Sequence, residues 1–154
     1  MSYLHSHNII HRDLKPDNVL LSDNLHPKIT DFGLSKIQYD QQQTMTDQGT
    51  LFYLAPEIIQ GQTDYTNSVD VYAYGIMAFE IVVLKLPYKV LGNIMTIPFE
   101  VSKGRRPIFP STVNPLLKKL ITDCWSGCDA ERPTFDEIFQ YLSNPEYLIP
   151  DVDL

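Results

Sequence analysis

From Asn67 to Leu84 the sequence is largely apolar on both faces a helix would present. Val71, Tyr74, Ala78 and Ile81 share one side at helical spacing, and the opposite side is also largely apolar. A surface helix keeps one polar face, so this pattern predicts a helix buried all round. A lipid bilayer is the other place for such a segment. Its longest apolar stretch, Gly75 to Leu84, is interrupted by Glu80 and is too short to span one. The helix must therefore be the centre of a protein core, and the rest of the chain has to wrap it.

The flanking segments supply the wrapping. Residues 1–7 read as the end of a helix. Pro98 suits the first turn of a short helix ending near Gly104, and Asn114 followed by Pro115 is an N-cap and first-turn pair. Behind that pair, Leu116, Leu117, Leu120, Ile121, Cys124 and Trp125 recur with helical spacing. Thr134 and Glu137 are spaced as a capping box for a last helix whose Phe135, Ile138, Phe139 and Leu142 should face inward. Two short β-prone segments, 19–21 and 28–30, flank the polar turn Ser22-Asp23-Asn24 and predict a hairpin. From Ser35 to Gly49 the chain is polar without sustained period, as an exposed loop would be, and loops of that length are usually functional. The expected fold class is mainly α with a small β-hairpin near the N-terminal end.

Composition excludes some partners. Twelve lysines and arginines against 19 aspartates and glutamates give a net charge of −7. That charge disfavours a phosphate backbone such as nucleic acid. Cys124 and Cys128 make neither a disulfide framework nor a four-ligand zinc site and read as inert thiols in a reducing compartment. No signal peptide or membrane segment is visible, so an intracellular, cytoplasmic location is expected.

Chemistry concentrates in His11-Arg12-Asp13-Leu14-Lys15-Pro16-Asp17-Asn18 and in Asp31-Phe32-Gly33. Phosphoryl transfer needs a carboxylate for the attacking hydroxyl, oxygen ligands for Mg²⁺ and a cation for developing charge. Asp13 could supply the first, Asn18 with Asp31 the second, and Lys15 the third. Mg²⁺ prefers carboxylate and amide oxygens, which suits Asn18 and Asp31. The hairpin between the two motifs would bring them side by side.

These motifs, with Ala55-Pro56-Glu57 after them, resemble the signature set of the eukaryotic-type protein kinase domain, in that family's order. The resemblance covers residues 1–143 as the C-terminal lobe of a two-lobed α+β domain, with 144–154 as a tail. It implies ATP and Mg²⁺ as cofactors, a protein substrate, Asp13 as catalytic base and Leu20 in the floor under adenine. It further implies that Asp70 hydrogen-bonds the backbone of the His11–Arg12 turn, that Glu57 pairs with Arg132, and that His11 and Phe32 stack. Lys15 and Thr50 are similar to the serine/threonine type, with Thr50 bonded to Asp13 and Lys15. The surroundings of Tyr72–Gly75, Cys124-Trp125 and Glu131–Pro133 are similar to the tyrosine-kinase-like group.

Arg12 beside the base suggests control by loop phosphorylation, with Thr44 and Thr46 as acceptors and Thr50 structural. No Gly-rich loop or strand lysine precedes His11, so the ATP-gripping lobe is expected in a longer parent chain. Its absence would expose an apolar surface near His11, Leu20 and Phe32. The competing readings are a non-catalytic kinase-lobe binding module and a plain helical domain. Retention of Asp13, Asn18 and Asp31 together argues against the first, and the motif register against the second.

Overall fold

The computed structural model describes residues 1–33, 35–37 and 48–147. Six helices carry most of the order: α1 (Ser2–Ser6), α2 (Pro56–Ile59), α3 (Ser68–Val83), α4 (Ile97–Ser102), α5 (Pro115–Cys124) and α6 (Phe135–Leu142). Four short strands pair as two antiparallel ribbons. In one, β1 (Ile9–Ile10) pairs with β4 (Lys36–Ile37). In the other, β2 (Val19–Leu21) pairs with β3 (Pro27–Ile29), with Val19 opposite Ile29. The result is a mainly α lobe with a little antiparallel sheet at its N-terminal end.

Helix α3 is the axle. Residues 69–73 and 75–79 are all buried, so ten of the eleven consecutive positions 69–79, all save Tyr74, contact protein rather than solvent. Gly75 sits where α5 crosses. A Cβ there would lie 2.9 Å from Cys124 Cβ and 3.3 Å from the backbone of Ile121, so only a hydrogen fits. The close crossing also buries Cys124, whose thiol is pushed up to about 12 by desolvation. Phe79, Phe109 and Trp125 cluster, with Phe79 and Phe109 meeting edge to face, an arrangement aromatic rings prefer, and Trp125 tilted against both.

The caps follow the sequence. Asn114 Oδ1 accepts from the Leu116 and Leu117 amides at the start of α5. Thr134 and Glu137 form the reciprocal box that starts α6, and the backbone and hydroxyl donors of Thr134 hold the exposed Glu137 carboxyl below its usual range.

Several expectations need correcting. The core ends before α3 does: Ile81 is 58% and Leu84 87% exposed, because the last turn of α3 emerges at the surface. In α6 only Phe135 and Ile138 are buried. Phe139 is 72% and Leu142 36% exposed. This two-turn helix touches the core along its 135–138 edge, narrower than the periodicity suggested. Leu116 likewise lies at the exposed margin of α5. Cys128 is exposed, unlike Cys124. Within the segment Ser35 to Gly49, expected as an irregular loop, Lys36–Ile37 form β4 and Gln48–Phe52 form a 3₁₀ turn, while 38–47 lie outside the described residues. Among the described residues no helix is long and apolar enough to cross a membrane.

Candidate active site

Asp13, Lys15, Asn18 and Thr50 form one buried polar cluster, each less than 8% exposed. A 3₁₀ turn, Pro16–Asn18, folds the Asn18 side chain back so that its Nδ2 donates to the Asp13 carbonyl at 2.7 Å and to Asp13 Oδ2 at 2.9 Å. Lys15 Nζ stands 3.2 Å from Asp13 Oδ2 and donates to Thr50 Oγ1 at 3.0 Å. The Thr50 hydroxyl in turn donates to Asp13 Oδ1 at 2.9 Å. Three residues thus close a ring of charge-assisted bonds around one carboxylate, and bonds of that kind are short and strong. Thr50 is buried and its hydroxyl is engaged on both sides.

The backbone beneath this ring is strained and anchored. Arg12 has φ of 72°, a left-handed conformation costing an L-residue roughly 1–2 kcal/mol. The fully buried carboxylate of Asp70, in the first turn of α3, accepts from the amides of His11 and Arg12 at 2.8 Å each. Hydrogen bonds to a charged group contribute about 1.5–3 kcal/mol apiece, so they outweigh the strain. His5 of α1 donates its Nε2 to the same carboxylate at 2.9 Å. Nothing in the sequence had marked His5, because the contact depends on how α1 docks on α3.

His11 is fully buried, which corrects its expected place in an exposed apolar surface. Its Nδ1 accepts from the Asp13 amide at 3.3 Å, and its Nε2 faces the Thr30 carbonyl at 3.0 Å. Those partners select the neutral tautomer with the proton on Nε2. The rings of His11 and Phe32 meet edge to face at 5.2 Å.

The same carbonyl contact carries the second motif. Thr30, which also donates its amide to the Asn18 carbonyl at 2.9 Å, directly precedes Asp31. Asp31 then turns at φ of 59° and is exposed. Its Oδ1 accepts from the Gly33 amide at 3.2 Å. The structure therefore brings Asp13, Lys15, Asn18 and Thr50 into direct contact, and sets Asp31 beside them through the 18–30 ladder rather than by a side-chain bond.

The donor set fits Mg²⁺ held together with phosphates. Asn18 has its amide nitrogen committed to Asp13, leaving its carbonyl oxygen, and Asp31 keeps Oδ2. One carboxylate plus one amide oxygen is the partial shell that Mg²⁺ completes with water and phosphate oxygens. Among the described residues no group of three His, Cys, Asp or Glu could hold a metal by protein ligands alone. Leu20, in β2, and Phe32, next to Asp31, are 57% and 49% exposed.

Below the ring, Glu57 and Arg132 pair bidentately at 2.5 and 2.9 Å in a buried setting. The remaining Arg132 donors reach the Ser126 and Ser68 carbonyls. Two further contacts gave no sequence signal. Tyr53 donates to Glu80 at 2.6 Å, and the buried Tyr72 ring lies between the guanidiniums of Arg106 and Arg132, each 5.1 Å from its centroid. Thr44 and Thr46 lie outside the described residues.

Comparison with known proteins agrees with this geometry. Residues 1–142 match the family model described as protein kinase domain. The chain is similar to the RGS domain-containing serine/threonine-protein kinase A of Dictyostelium discoideum, 44% identical over 147 residues, covering 96% of this chain and 13% of that protein. It is 37% identical over 142 residues to the Arabidopsis thaliana serine/threonine-protein kinase STY46, covering 92% of this chain and 24% of the relative. Identity to the Arabidopsis thaliana serine/threonine/tyrosine-protein kinase HT1 is also 37% over 142 residues, covering 92% and 36%. The chain spans from about a tenth to about a third of the length of the curated relatives it matches. With the geometry of the 11–18 turn and these matches together, the chain belongs to the protein kinase domain family.

Proposed function

We propose that this chain is the phosphoryl-transfer lobe of a protein serine/threonine kinase that uses ATP and Mg²⁺. The observation that carries the reading is the closed ring of Asp13, Thr50 and Lys15 with Asn18 bonded to its base. In the reaction, the hydroxyl oxygen of a substrate serine or threonine bonds to the γ-phosphorus of ATP. The bond from that phosphorus to the β–γ bridging oxygen breaks, and ADP leaves. Asp13 orients the attacking hydroxyl and takes its proton. Lys15 carries positive charge toward the transferring phosphoryl group, and Thr50 keeps Asp13 and Lys15 in register with each other.

Asn18 and Asp31 would hold Mg²⁺, which when bound neutralises charge on the phosphates. Asp70 is a positioning residue: it fixes the strained turn from which Asp13 projects. The exposed Leu20 and Phe32 support a second lobe closing over this face in the parent protein, with adenine against Leu20. Phosphorylation of Thr44 or Thr46, read by Arg12, belongs to the same proposal, as does a cytoplasmic location suited to two free thiols. Residues 144–154 are proposed as a tail past the lobe.

The test is phosphate transfer from radiolabelled ATP to matched peptides bearing serine, threonine or tyrosine, using the full-length gene product and Mg²⁺. Label on serine and threonine peptides supports the reading. Label on tyrosine alone, or none with any peptide, overturns it. Mass spectrometry of active protein from its native cell tests the loop: unmodified Thr44 and Thr46 would remove that part.

A further inference from the structure

A cleft of about 430 Å³ opens between the end of α3 and the segment 105–110, on a part of the lobe that the catalytic ring does not reach. Its floor is apolar, built on Phe79, Phe109 and Pro107, and its rim carries Leu86, Val90 and Ile108, which are 53%, 80% and 82% exposed. Leu84 and Tyr88 both adopt left-handed backbone conformations, with φ of 53° and 58°. Between them the segment 85–87 carries Lys85 and Leu86 out along the rim.

The charge of this cleft runs against that of the chain. Acidic residues outnumber basic ones by 19 to 12 overall. Of the thirteen residues lining the cleft, four are lysine or arginine and none is aspartate or glutamate. The four are not equivalent. Arg106 is spent on the carbonyls of Trp125, Val101 and Arg105, and Arg105 pairs with Glu100 at 3.0 Å. Lys85 and Lys89 are exposed and, among the described residues, have no ion-pair partner. A third of the chain's basic side chains thus surround one apolar cleft, with two cations unneutralised.

We infer that this cleft docks a partner-protein segment in which large apolar side chains are flanked by acidic ones. Apolar anchors would fill the floor between Phe79 and Phe109. Flanking carboxylates would meet Lys85 and Lys89, whose positive field also repels basic segments. A cleft of this size lies in the range of sites that take side-chain anchors or small ligands. Its exposed apolar rim, continuous with the floor, favours an extended chain over an enclosed molecule. The inference does not depend on the phosphoryl-transfer reading.

The experiment is selection of a phage-displayed library of random twelve-residue peptides on the protein, followed by fluorescence anisotropy with the enriched peptides. Binding is compared with Lys85→Glu/Lys89→Glu and with Ile108→Ser, both at exposed positions, and thermal melting checks that each variant stays folded. Enriched peptides should carry aspartate or glutamate around leucine, isoleucine or phenylalanine. Their affinity should fall at least tenfold in the double charge reversal, fall also in Ile108→Ser, and weaken as salt is raised. Enrichment of basic or neutral peptides, affinity unchanged in the folded double variant, or no enrichment at all would overturn the proposal. So would saturable binding of octanoate at the cleft without any peptide, which would make it a site for a small anionic amphiphile.

Discussion

The Thr50 hydroxyl donates to Asp13 Oδ1 at 2.9 Å, joining positions 37 apart in sequence. Because Thr50 also accepts from Lys15, it sets the spacing between the Asp13 carboxylate and the Lys15 ammonium. The family match runs through both residues, and the contact ties the 3₁₀ turn Gln48–Phe52 to the turn that holds Asp13. Whether the ring forms therefore depends on how residues 48–52 are folded.

Thr50→Val keeps the shape but removes both bonds, leaving Lys15 and Asp13 to meet without a spacer. Transfer to a serine peptide should fall by about 10²-fold, within the usual range for mispositioned acid–base groups. Thr50→Ser should restore most of the rate. Steady-state kinetics of the full-length protein checks this, and a Thr50→Ser variant as slow as Thr50→Val would show that the methyl group, not the hydroxyl, matters.

Glu57 and Arg132 are buried together, so removing one leaves the other charged and unpaired. Glu57→Gln or Arg132→Met should each destabilise the chain by about 3–5 kcal/mol. Replacing both by apolar residues of similar volume should recover a large part of that loss. Urea unfolding of the two single variants and the double variant measures it. Additive losses would mean that the pair is not coupled.

Gly75→Ala trades a helix-propensity gain of about 1 kcal/mol against a Cβ only 2.9 Å from that of Cys124. Overpacking of a helix crossing costs typically 1–3 kcal/mol, and backbone on both sides resists movement. A net loss of about 1 kcal/mol or more is expected in thermal or urea melts. A more stable Gly75→Ala variant would show that α3 and α5 can slide apart.

The Glu137 carboxyl is held below its usual value by the backbone and hydroxyl donors of Thr134. A depressed carboxylate contributes stability above its unfolded value of about 4.3, and that contribution disappears as pH falls through the folded value. The stability advantage of the native chain over Glu137→Gln should therefore be present at neutral pH and vanish in acid. Melts across pH 2.5–7 test it, and an advantage that persists in acid would contradict the capping geometry.

The sequence was informative where neighbours in the chain are also neighbours in space. Asp13, Lys15 and Asn18 lie within one short turn, and the caps at Asn114 and Thr134 act on amides two or three residues away. Asp70 and the Glu57–Arg132 pair were legible only through family resemblance, since no local pattern says which buried charge meets which. His5 on Asp70, Tyr53 on Glu80, and Tyr72 between two arginines carried no signal at all, because each depends on helices docking across the core. Two-residue strands such as Ile9–Ile10 have no period to read. The misjudged exposure of Ile81 and Phe139 has the same origin: periodicity gives the side of a helix, but not where the core stops.

In the proposed reaction Asp13 accepts the substrate proton at a site where Asn18 and Asp31 meet the ATP phosphates. Single-turnover phosphoryl transfer by the full-length protein, native against Asp13→Asn, tests it most directly when Mg·ATP affinity is measured in parallel. The expected rate for Asp13→Asn is lower by about 10²–10⁴-fold, with nucleotide affinity nearly unchanged. An Asp13→Asn protein that transfers phosphate at the native rate would contradict it.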